Sequence, residues 1–223
     1  MPQQLGLDLP GITALGRDDF LVAPSNALAV ALLDAWPNWQ GGKLLLSGPA
    51  GSGKTHLAHA WAARSGARII QASAVAEDDI PALAEGPVAV EDVTDIAGDL
   101  ARETALFHLH NLVLANGHSL MFTGDVVPAG WPLSLPDLKS RLQGATSAEL
   151  AAPDDTLLSA VIAKLFADRQ IMPPPNVIQY LVSRIDRSFD AARDTVARID
   201  AESIARKKPV TRRLAADILD NTL

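Results

Sequence analysis

One eight-residue segment, from Gly48 to Thr55, limits what this chain can fold into more than any other feature of its sequence. In a P-loop of this pattern, glycines let backbone N–H groups turn inward around phosphate oxygens, the lysine reaches the β- and γ-phosphates, and the Ser or Thr hydroxyl holds Mg²⁺. Here an apolar run at 43–47 precedes the segment and a predicted helix follows it, whose N-terminus adds positive potential. The residues expected to hold the nucleotide are Gly48, Pro49, Ala50, Gly51, Ser52, Gly53, Lys54 and Thr55. A glycine-rich turn without a ligand is the alternative.

The stretch around this segment alternates between short apolar runs and helical patterns. Runs at 43–47, 68–71, 88–90 and 119–123 have the length and composition of buried strands. Helical patterns lie between them, and another is predicted at 25–36, with Ser25 as its cap and with Leu28, Leu32 and Leu33 on one face. Strands that alternate with helices predict an α/β fold with a parallel sheet covered by helices on both faces.

The pattern becomes wholly helical after about residue 150. Apolar residues recur at helical spacing from Leu157 to Phe166, the Pro173-Pro174-Pro175 run breaks the chain, and Asn176 can cap the next helix. We therefore expect three parts: an extended tail at 1–15, a nucleotide-binding α/β subdomain at 16–150, and a small all-helical subdomain at 151–223.

Composition narrows the classes of partner. The chain has no cysteine, no basic and apolar leader at its start, and no apolar run of about 20 residues, so we expect a cytoplasmic protein that does not enter a membrane. Its net charge is −7, and residues 1–150 carry 8 basic against 16 acidic side chains. An acidic surface is poorly suited to DNA phosphates, so any contact with DNA is expected to be indirect.

Acidic side chains follow two of the predicted strands. Glu91 and Asp92 end the strand at 88–90, where P-loop proteins place one carboxylate for the Mg²⁺ shell and one to orient the attacking water. Asp125 ends the strand at 119–123, where a polar group would lie near the γ-phosphate. A solvated acidic turn is the alternative for the first pair, and an ordinary turn is the alternative for Gly124-Asp125.

Together these segments resemble the AAA+ domain of DnaA-type replication initiators, and more closely the shorter Hda family, which inactivates the initiator. By that resemblance Gly48 to His56 is Walker A, 88–92 is Walker B, and 122–125 is sensor 1. Residues 135–142 resemble the segment called box VII, which makes Arg141 an arginine finger. The helical end then corresponds to the AAA+ lid, and Phe20 and Val22 belong to the segment that flanks the adenine.

Two further features resemble the Hda family rather than the initiator. The chain ends after the lid, so the initiator's DNA-binding domain is not expected. The N-terminal peptide is similar to the one by which Hda docks on the DNA polymerase sliding clamp, with the matching residues at Gln4, Leu5, Leu7 and Leu9. Such a peptide could place its leucines in an apolar groove while the glutamine makes polar contacts. Packing of the leucines on their own domain is the alternative.

The resemblance implies the partners and the cofactors: the sliding clamp, the DnaA initiator, and ADP or ATP with Mg²⁺ held by Thr55 and Glu91. It also places the protein at the nucleoid or replisome, and self-association is possible. The sequence departs from the family in two places. Glu91-Asp92 reverses the usual Asp-Glu order, and the nearest register puts Asp190 where a sensor 2 arginine belongs, which leaves Arg187 or Arg193 as candidates. Hydrolysis by the chain itself is therefore expected to be weak. The rival functions are an adaptor without effect on hydrolysis and an ATPase or helicase loader that turns over ATP itself.

Overall fold

The computed structural model describes residues 21–220, so the tail peptide and Phe20 lie outside the described residues. The strands are β1 (Lys43–Ser47), β2 (Arg68–Gln71), β3 (Val88–Glu91), β4 (Leu120–Gly124) and β5 (Thr146–Glu149). The α-helices are α1 (Ala27–Asp34), α2 (Lys54–Ser65), α3 (Ile80–Leu83), α4 (Leu100–Ala115), α5 (Pro136–Gln143), α6 (Asp155–Ala167), α7 (Pro175–Val182), α8 (Phe189–Arg206) and α9 (Arg212–Asp220). None of the helices between residues 21 and 220 combines the length and apolar character needed to span a bilayer.

The five strands form a parallel sheet in the order β2-β3-β4-β1-β5. Strand β1 lies between β4 and β5, with Ser47 opposite Gly124 on one side and opposite Glu149 on the other. All the strands run the same way, so their carboxyl ends share one edge, where the P-loop and the acidic residues that follow β3 and β4 lie together. The predicted α/β fold with a parallel sheet is confirmed.

Alternation along β1 explains why the sheet is buried on both faces. Leu45 belongs to a core cluster that the side chains of α3, α4 and α5 complete. Leu44 and Leu46 point the other way, into a second cluster built with α1 and α2. Each fully buried leucine contributes roughly 1.5–3 kcal/mol of transfer free energy, so the strand that carries the P-loop is anchored from both sides.

Strand β5 was not among the strands predicted from sequence. Its residues are Thr-Ser-Ala-Glu, and only Ala148 is buried. An edge strand with one buried side chain has no apolar run to reveal it, and its hydrogen bonds to β1 define it instead.

The first helix and the lid differ from the prediction in detail. Helix α1 begins at Ala27, after Asn26 rather than after Ser25, and Leu28 is 61% exposed while Ala29 and Val30 are buried. Helix α7 begins at Pro175, so Asn176 lies inside the helix and the predicted cap at that position is wrong.

The helices that follow the sheet form the small all-helical part that the sequence predicts, called the lid below. Side chains of α6 to α9 pack around a cluster of their own, which includes Phe166, Leu181 and Val196. Asp154 accepts a hydrogen bond from the backbone N–H of Leu157 at 2.7 Å and caps α6. Ser188 likewise caps α8 by accepting from the N–H of Ala191 at 3.0 Å.

Candidate functional site

The P-loop connects the carboxyl end of β1 to the first turn of α2. Gly48 has a φ of 152°, and a Cβ added there would collide with the carbonyl oxygen of Leu150. Gly51 and Gly53 have φ angles of 69° and 101°, in the region that favours glycine. Because these three positions carry no side chain, the loop can curve so that its backbone N–H groups surround an anion.

Lys54 lies inside the loop. Its Nζ donates to the carbonyl oxygens of Gly48 at 2.6 Å and Pro49 at 3.1 Å, and it pairs with Oδ1 of Asp125 at 3.3 Å. The lysine side chain is 7% exposed, whereas that of Asp125 is 60% exposed. The ammonium group thus faces the mouth of the loop beside the end of β4, where a γ-phosphate oxygen could replace the loop carbonyls as acceptor.

Hydroxyl groups also lie in and beside the P-loop. Thr55 is exposed in the first turn of α2, and no side chain caps the N–H groups of that turn. The buried hydroxyls of Ser47 and Ser52 have no hydrogen-bond partner among residues 21–220. Unsatisfied buried polar atoms are costly, so partnerless donors at this place fit a site built to bind an anion.

The acidic residues that follow β3 occupy two different environments. Glu91 is buried, and its Oε2 accepts from Nε2 of Gln71 at 3.4 Å, while its Oε1 has no partner in the described part of the chain. Asp92 adopts a left-handed conformation with φ of 55°, which aspartate tolerates, and its N–H donates to Oγ1 of Thr123 at 3.0 Å. The two carboxylates thus differ in burial, because Glu91 is buried and Asp92 is half-buried, and they can take different roles.

The electrostatics tie Asp92 to the P-loop. Burial raises the pKa of Asp92, the charges of Asp95 and Asp125 raise it further, and the charge of Lys54 opposes them. Asp92, Asp125 and Lys54 therefore act on one another across the mouth of the loop.

The donor set fits Mg²⁺ that is held mainly by phosphate and water. Residues 21–220 contain no group of three or more His, Cys, Asp or Glu side chains placed to hold a metal ion. Mg²⁺ in nucleotide sites usually keeps several waters and takes one or two protein ligands in addition to the phosphates. Thr55 and the partnerless oxygen of Glu91 are the groups that would supply them.

Two other residues assigned from sequence, His56 and Val22, lie within the described part of the chain. His56 is half-buried in the first turn of α2, and Val22 is exposed. The segment around Val22 is shaped by Asn26, whose Oδ1 accepts from the N–H of Ala23 at 2.8 Å and whose Nδ2 donates to the carbonyl of Leu21 at 2.9 Å.

The lid reaches the P-loop through the start of α8. The backbone N–H of Phe189 donates to the carbonyl oxygen of Gly51 at 2.8 Å, and a Cβ at Gly51 would collide with Ser188. Asp190 is the charged side chain that lies against this glycine, with Oδ2 within 3.4 Å of the Cβ position.

The two candidate lid arginines make other contacts. Arg187 pairs with Asp155 at 2.9 Å, and Arg193 pairs with Asp190 at 3.1 Å. Of these side chains, the structure brings Asp190 to the loop and leaves both guanidinium groups on carboxylates.

Arg141 lies near the amino end of β1, whereas the P-loop follows its carboxyl end. It is exposed in the last turn of α5, and its backbone carbonyl accepts a hydrogen bond from Nζ of Lys43 at 2.7 Å. Lys43 is the first residue of β1, whereas the P-loop leaves from the last, and five residues of strand span roughly 13–17 Å. Arg141 thus contacts the end of β1 that is opposite to the phosphate loop.

Sequence reasoning missed a buried carboxylate that holds the segment before α5. Glu103 in α4 is fully buried and accepts hydrogen bonds from the N–H groups of Gly98, Ser134 and Leu135 at 2.6 to 3.0 Å. Its main donors are about 30 residues away along the chain, so no local signal in the sequence could have identified it.

The sequence and the fold of this chain are similar to those of known nucleotide-binding proteins. Residues 44–112 match the model of the ATPase family associated with various cellular activities (AAA). Domain III of the Thermotoga maritima replication initiation protein DnaA superposes with a TM-score of 0.82 at 20% identity, covering 93% of this chain and 96% of that domain.

Longer proteins share the fold as well. AMPPCP-bound DnaA from Aquifex aeolicus gives a TM-score of 0.70 at 20% identity, covering 83% of this chain and 65% of that one. The Thermotoga maritima RuvB Holliday junction branch migration motor gives 0.70 at 18% identity, covering 92% of this chain and 71% of that one. The chain thus has the α/β P-loop fold of AAA+ nucleotide-binding domains and is similar to that of DnaA.

Proposed function

We propose that this chain, which has the AAA+ fold, is a nucleotide-binding regulator of replication initiation. In this proposal it docks on the DNA polymerase sliding clamp through its N-terminal peptide, and Arg141 stimulates hydrolysis of ATP bound to the initiator DnaA. The observation that carries the proposal is the position of Arg141, which is exposed and contacts the first residue of β1, whereas the P-loop follows the last. An arginine so placed can serve a nucleotide on another molecule more easily than its own.

The chain's own nucleotide has a structural role in this proposal. The loop N–H groups and Lys54 would bind ADP or ATP, and Thr55 and Glu91 would hold Mg²⁺. The comparison that supports a nucleotide is the AMPPCP bound by the similar DnaA of Aquifex aeolicus. When bound, the Mg²⁺-nucleotide would supply the charge that Lys54 and the loop N–H groups orient.

Arg141 would act on the partner's nucleotide. Phosphoryl transfer spreads negative charge over the γ-phosphate oxygens in the transition state, and an arginine finger supplied in trans contributes about 10³–10⁵ in rate. The guanidinium group presents several donors in a rigid fork, which suits phosphate oxygens better than the point charge of a lysine.

The tail peptide would supply localisation rather than chemistry. Gln4, Leu5, Leu7 and Leu9 lie outside the described residues, and their part in the proposal rests on the sequence resemblance alone. A tether to the clamp raises the local concentration of the regulator near replicating DNA without any new contact to the initiator. This also suits a chain whose net charge of −7 disfavours direct DNA binding.

A hydrolysis assay tests the proposal. DnaA is loaded with labelled ATP, DNA-loaded clamp and this chain are added, and conversion to ADP is followed. We expect clamp-dependent conversion that Arg141→Ala abolishes and that Gln4→Ala with Leu5→Ala reduces to the rate without clamp. Arg184→Ala is the matched control. Arg141 and Arg184 are both exposed, and each guanidinium group lies over an aromatic ring, that of Phe107 for Arg141 and that of Tyr180 for Arg184, with the Cζ of Arg184 5.6 Å from the centroid of the Tyr180 ring. Full stimulation by Arg141→Ala would refute the finger assignment.

A nucleotide-stabilised adaptor without effect on hydrolysis is the second candidate. It is favoured by the lid, where Asp190 rather than an arginine lies against the P-loop. In the same assay this candidate predicts intact binding of nucleotide and clamp with no conversion of DnaA-bound ATP. An ATPase or loader that turns over ATP itself predicts instead sustained hydrolysis by the isolated chain that depends on Asp92.

A further inference from the structure

The guanidinium group of Arg141 is held by an aromatic ring instead of a carboxylate. Its Cζ lies 5.5 Å from the centroid of Phe107, within the range of a cation–π contact. Asp137 is one helical turn away, but Arg141 belongs to no ion pair among residues 21–220. In an acidic protein this leaves the charge of the side chain available to an external anion.

The backbone of Arg141 is fixed by a chain of side chains from β1 and α4. Lys43 donates from Nζ to the carbonyl of Arg141 at 2.7 Å, one of the last-turn carbonyls that a helix leaves without an internal partner. The same Nζ lies 3.2 Å from Nε2 of buried His110, and Nδ1 of that ring lies 3.2 Å from Oδ1 of Asn111.

The hydrogen bonds of His110 to Lys43 and Asn111 require a neutral imidazole ring. Burial is the main cause that lowers the pKa of His110 to about 4, and the charges of Lys43 and Arg141 lower it too, while the bond to Asn111 opposes them. A neutral ring can donate from Nδ1 to Asn111 and accept at Nε2 from Lys43. Lys43 thus donates both to the carbonyl of Arg141 and to His110, and His110 in turn donates to Asn111, so these bonds tie the end of α5 to α4 through Lys43.

We propose that Phe107, Lys43 and His110 are positioning residues for Arg141, and that they hold its guanidinium group toward the phosphate oxygens of a nucleotide bound by another molecule. The inference rests on the proposed function. The ring of Phe107 limits the rotamers of the arginine, and the Lys43–His110 contact fixes the end of α5 from which the side chain departs. Burial lowers the pKa of Lys43 and the charge of Arg141 lowers it further, so an anion from outside would relieve the repulsion between the two cations.

The test separates orientation from affinity. DnaA-bound ATP hydrolysis is measured against the concentration of this chain, which gives a maximal stimulated rate and a half-saturating concentration. Phe107→Leu removes the π face but keeps apolar bulk, and Lys43→Met removes the donor but keeps the stem. Each is expected to lower the maximal rate about tenfold, because misplacing a reacting group by about 1 Å can cost up to 100-fold. The half-saturating concentration should change less than twofold.

Conservative variants guard against a merely structural effect. Phe107→Trp keeps an aromatic face and Lys43→Arg keeps a donor, so both should retain at least half of the wild-type maximal rate. The matched control is Tyr180→Leu, which removes the ring beneath Arg184 and Arg212 in the lid. We expect full stimulation from it.

Opposite outcomes are distinguishable. If Arg141→Ala abolishes stimulation while Phe107→Leu and Lys43→Met stimulate like the wild type, the positioning inference is wrong and the proposed function stands. The inference is also wrong if Tyr180→Leu loses as much rate as Phe107→Leu, or if the two conservative variants fail as well. Full stimulation by Arg141→Ala would overturn the proposed function and the inference together.

Discussion

Phe189 donates its backbone N–H to the carbonyl oxygen of Gly51, so the longest helix of the lid starts on the phosphate loop itself. The contact brings Asp190 to a place where positive charge would help a phosphate. The N-terminus of a helix carries positive potential, and an aspartate in its first turn offsets that potential. The lid thus touches the loop without adding an attractive charge to it.

Removing the charge of Asp190 should strengthen nucleotide binding. We expect Asp190→Asn to tighten the binding of Mg²⁺-nucleotide about three- to tenfold, because one like charge near the phosphates is lost and Arg193 is released from its ion pair. Titration with a fluorescent nucleotide measures the change. Asp194→Asn removes an exposed charge one turn farther along α8 and serves as the control, with an expected change below twofold. Equal affinities for wild type and Asp190→Asn would contradict the prediction.

Lys54 should be needed for nucleotide binding but not for folding. Lys54→Ala removes a charge-assisted donor from the loop, so we expect affinity to fall about 10- to 100-fold. Calorimetric titration gives the affinity, and thermal unfolding in the absence of nucleotide should change by only a few degrees. Lys164→Ala, in the lid, should bind as the wild type does. Unimpaired binding by Lys54→Ala would mean that the loop is not the phosphate site.

Glu103 should be a large contributor to stability. Glu103→Gln leaves one acceptor where two oxygens served the N–H groups of Gly98, Ser134 and Leu135, and it buries an amide donor among them. We expect the free energy of unfolding to fall by about 2–4 kcal/mol. Urea denaturation measures it. Glu85→Gln, at an exposed site, should stay within about 0.5 kcal/mol of the wild type, and an equal loss in both variants would refute the assignment.

Stability should fall on acidification because of His110. Its folded-state pKa of about 4 lies below the ordinary value of 6.5, so the unfolded state binds the proton first. The contribution is complete above pH 6.5 and is lost as the pH falls toward 4, with about 3 kcal/mol at stake. The wild type should therefore lose more stability than His110→Gln between pH 7 and pH 4.5.

The exposed neighbour His108 supplies the control for this pH dependence. His108→Gln should follow the wild type across the same range, because the side chain of His108 is exposed on α4. Parallel curves for the wild type and His110→Gln would show that His110 is not the group responsible.

Features encoded by contiguous residues could be predicted, and those assembled from distant residues could not. The P-loop and the apolar strands that end in Ser47, Glu91 and Gly124 are local patterns, and the parallel sheet follows from their alternation with helices. Strand β5 was not predicted because only Ala148 is buried in it. Leu28 was wrongly assigned to the buried face of α1, where the small Ala29 lies instead.

Two contacts that matter for the candidate site could not be predicted from the sequence, for a different reason. The bond from Phe189 to Gly51 joins backbone atoms 138 residues apart, and the contact from Phe107 to Arg141 depends on how α4 and α5 cross. Such contacts depend on the folded arrangement of the chain, so composition and spacing carry no sign of them.

The P-loop and the anchor of Arg141 stand at opposite ends of one five-residue strand, with Lys43 at its first position and Gly48 directly after its last. Side chains along a strand alternate between faces, so inserting or deleting one residue there would turn Leu44, Leu45 and Leu46 toward the wrong clusters. The same change would shift the register between the phosphate loop and the arginine. Among variants of this chain, length changes between residues 43 and 48 should therefore be the least tolerated, even where every side chain named above is retained.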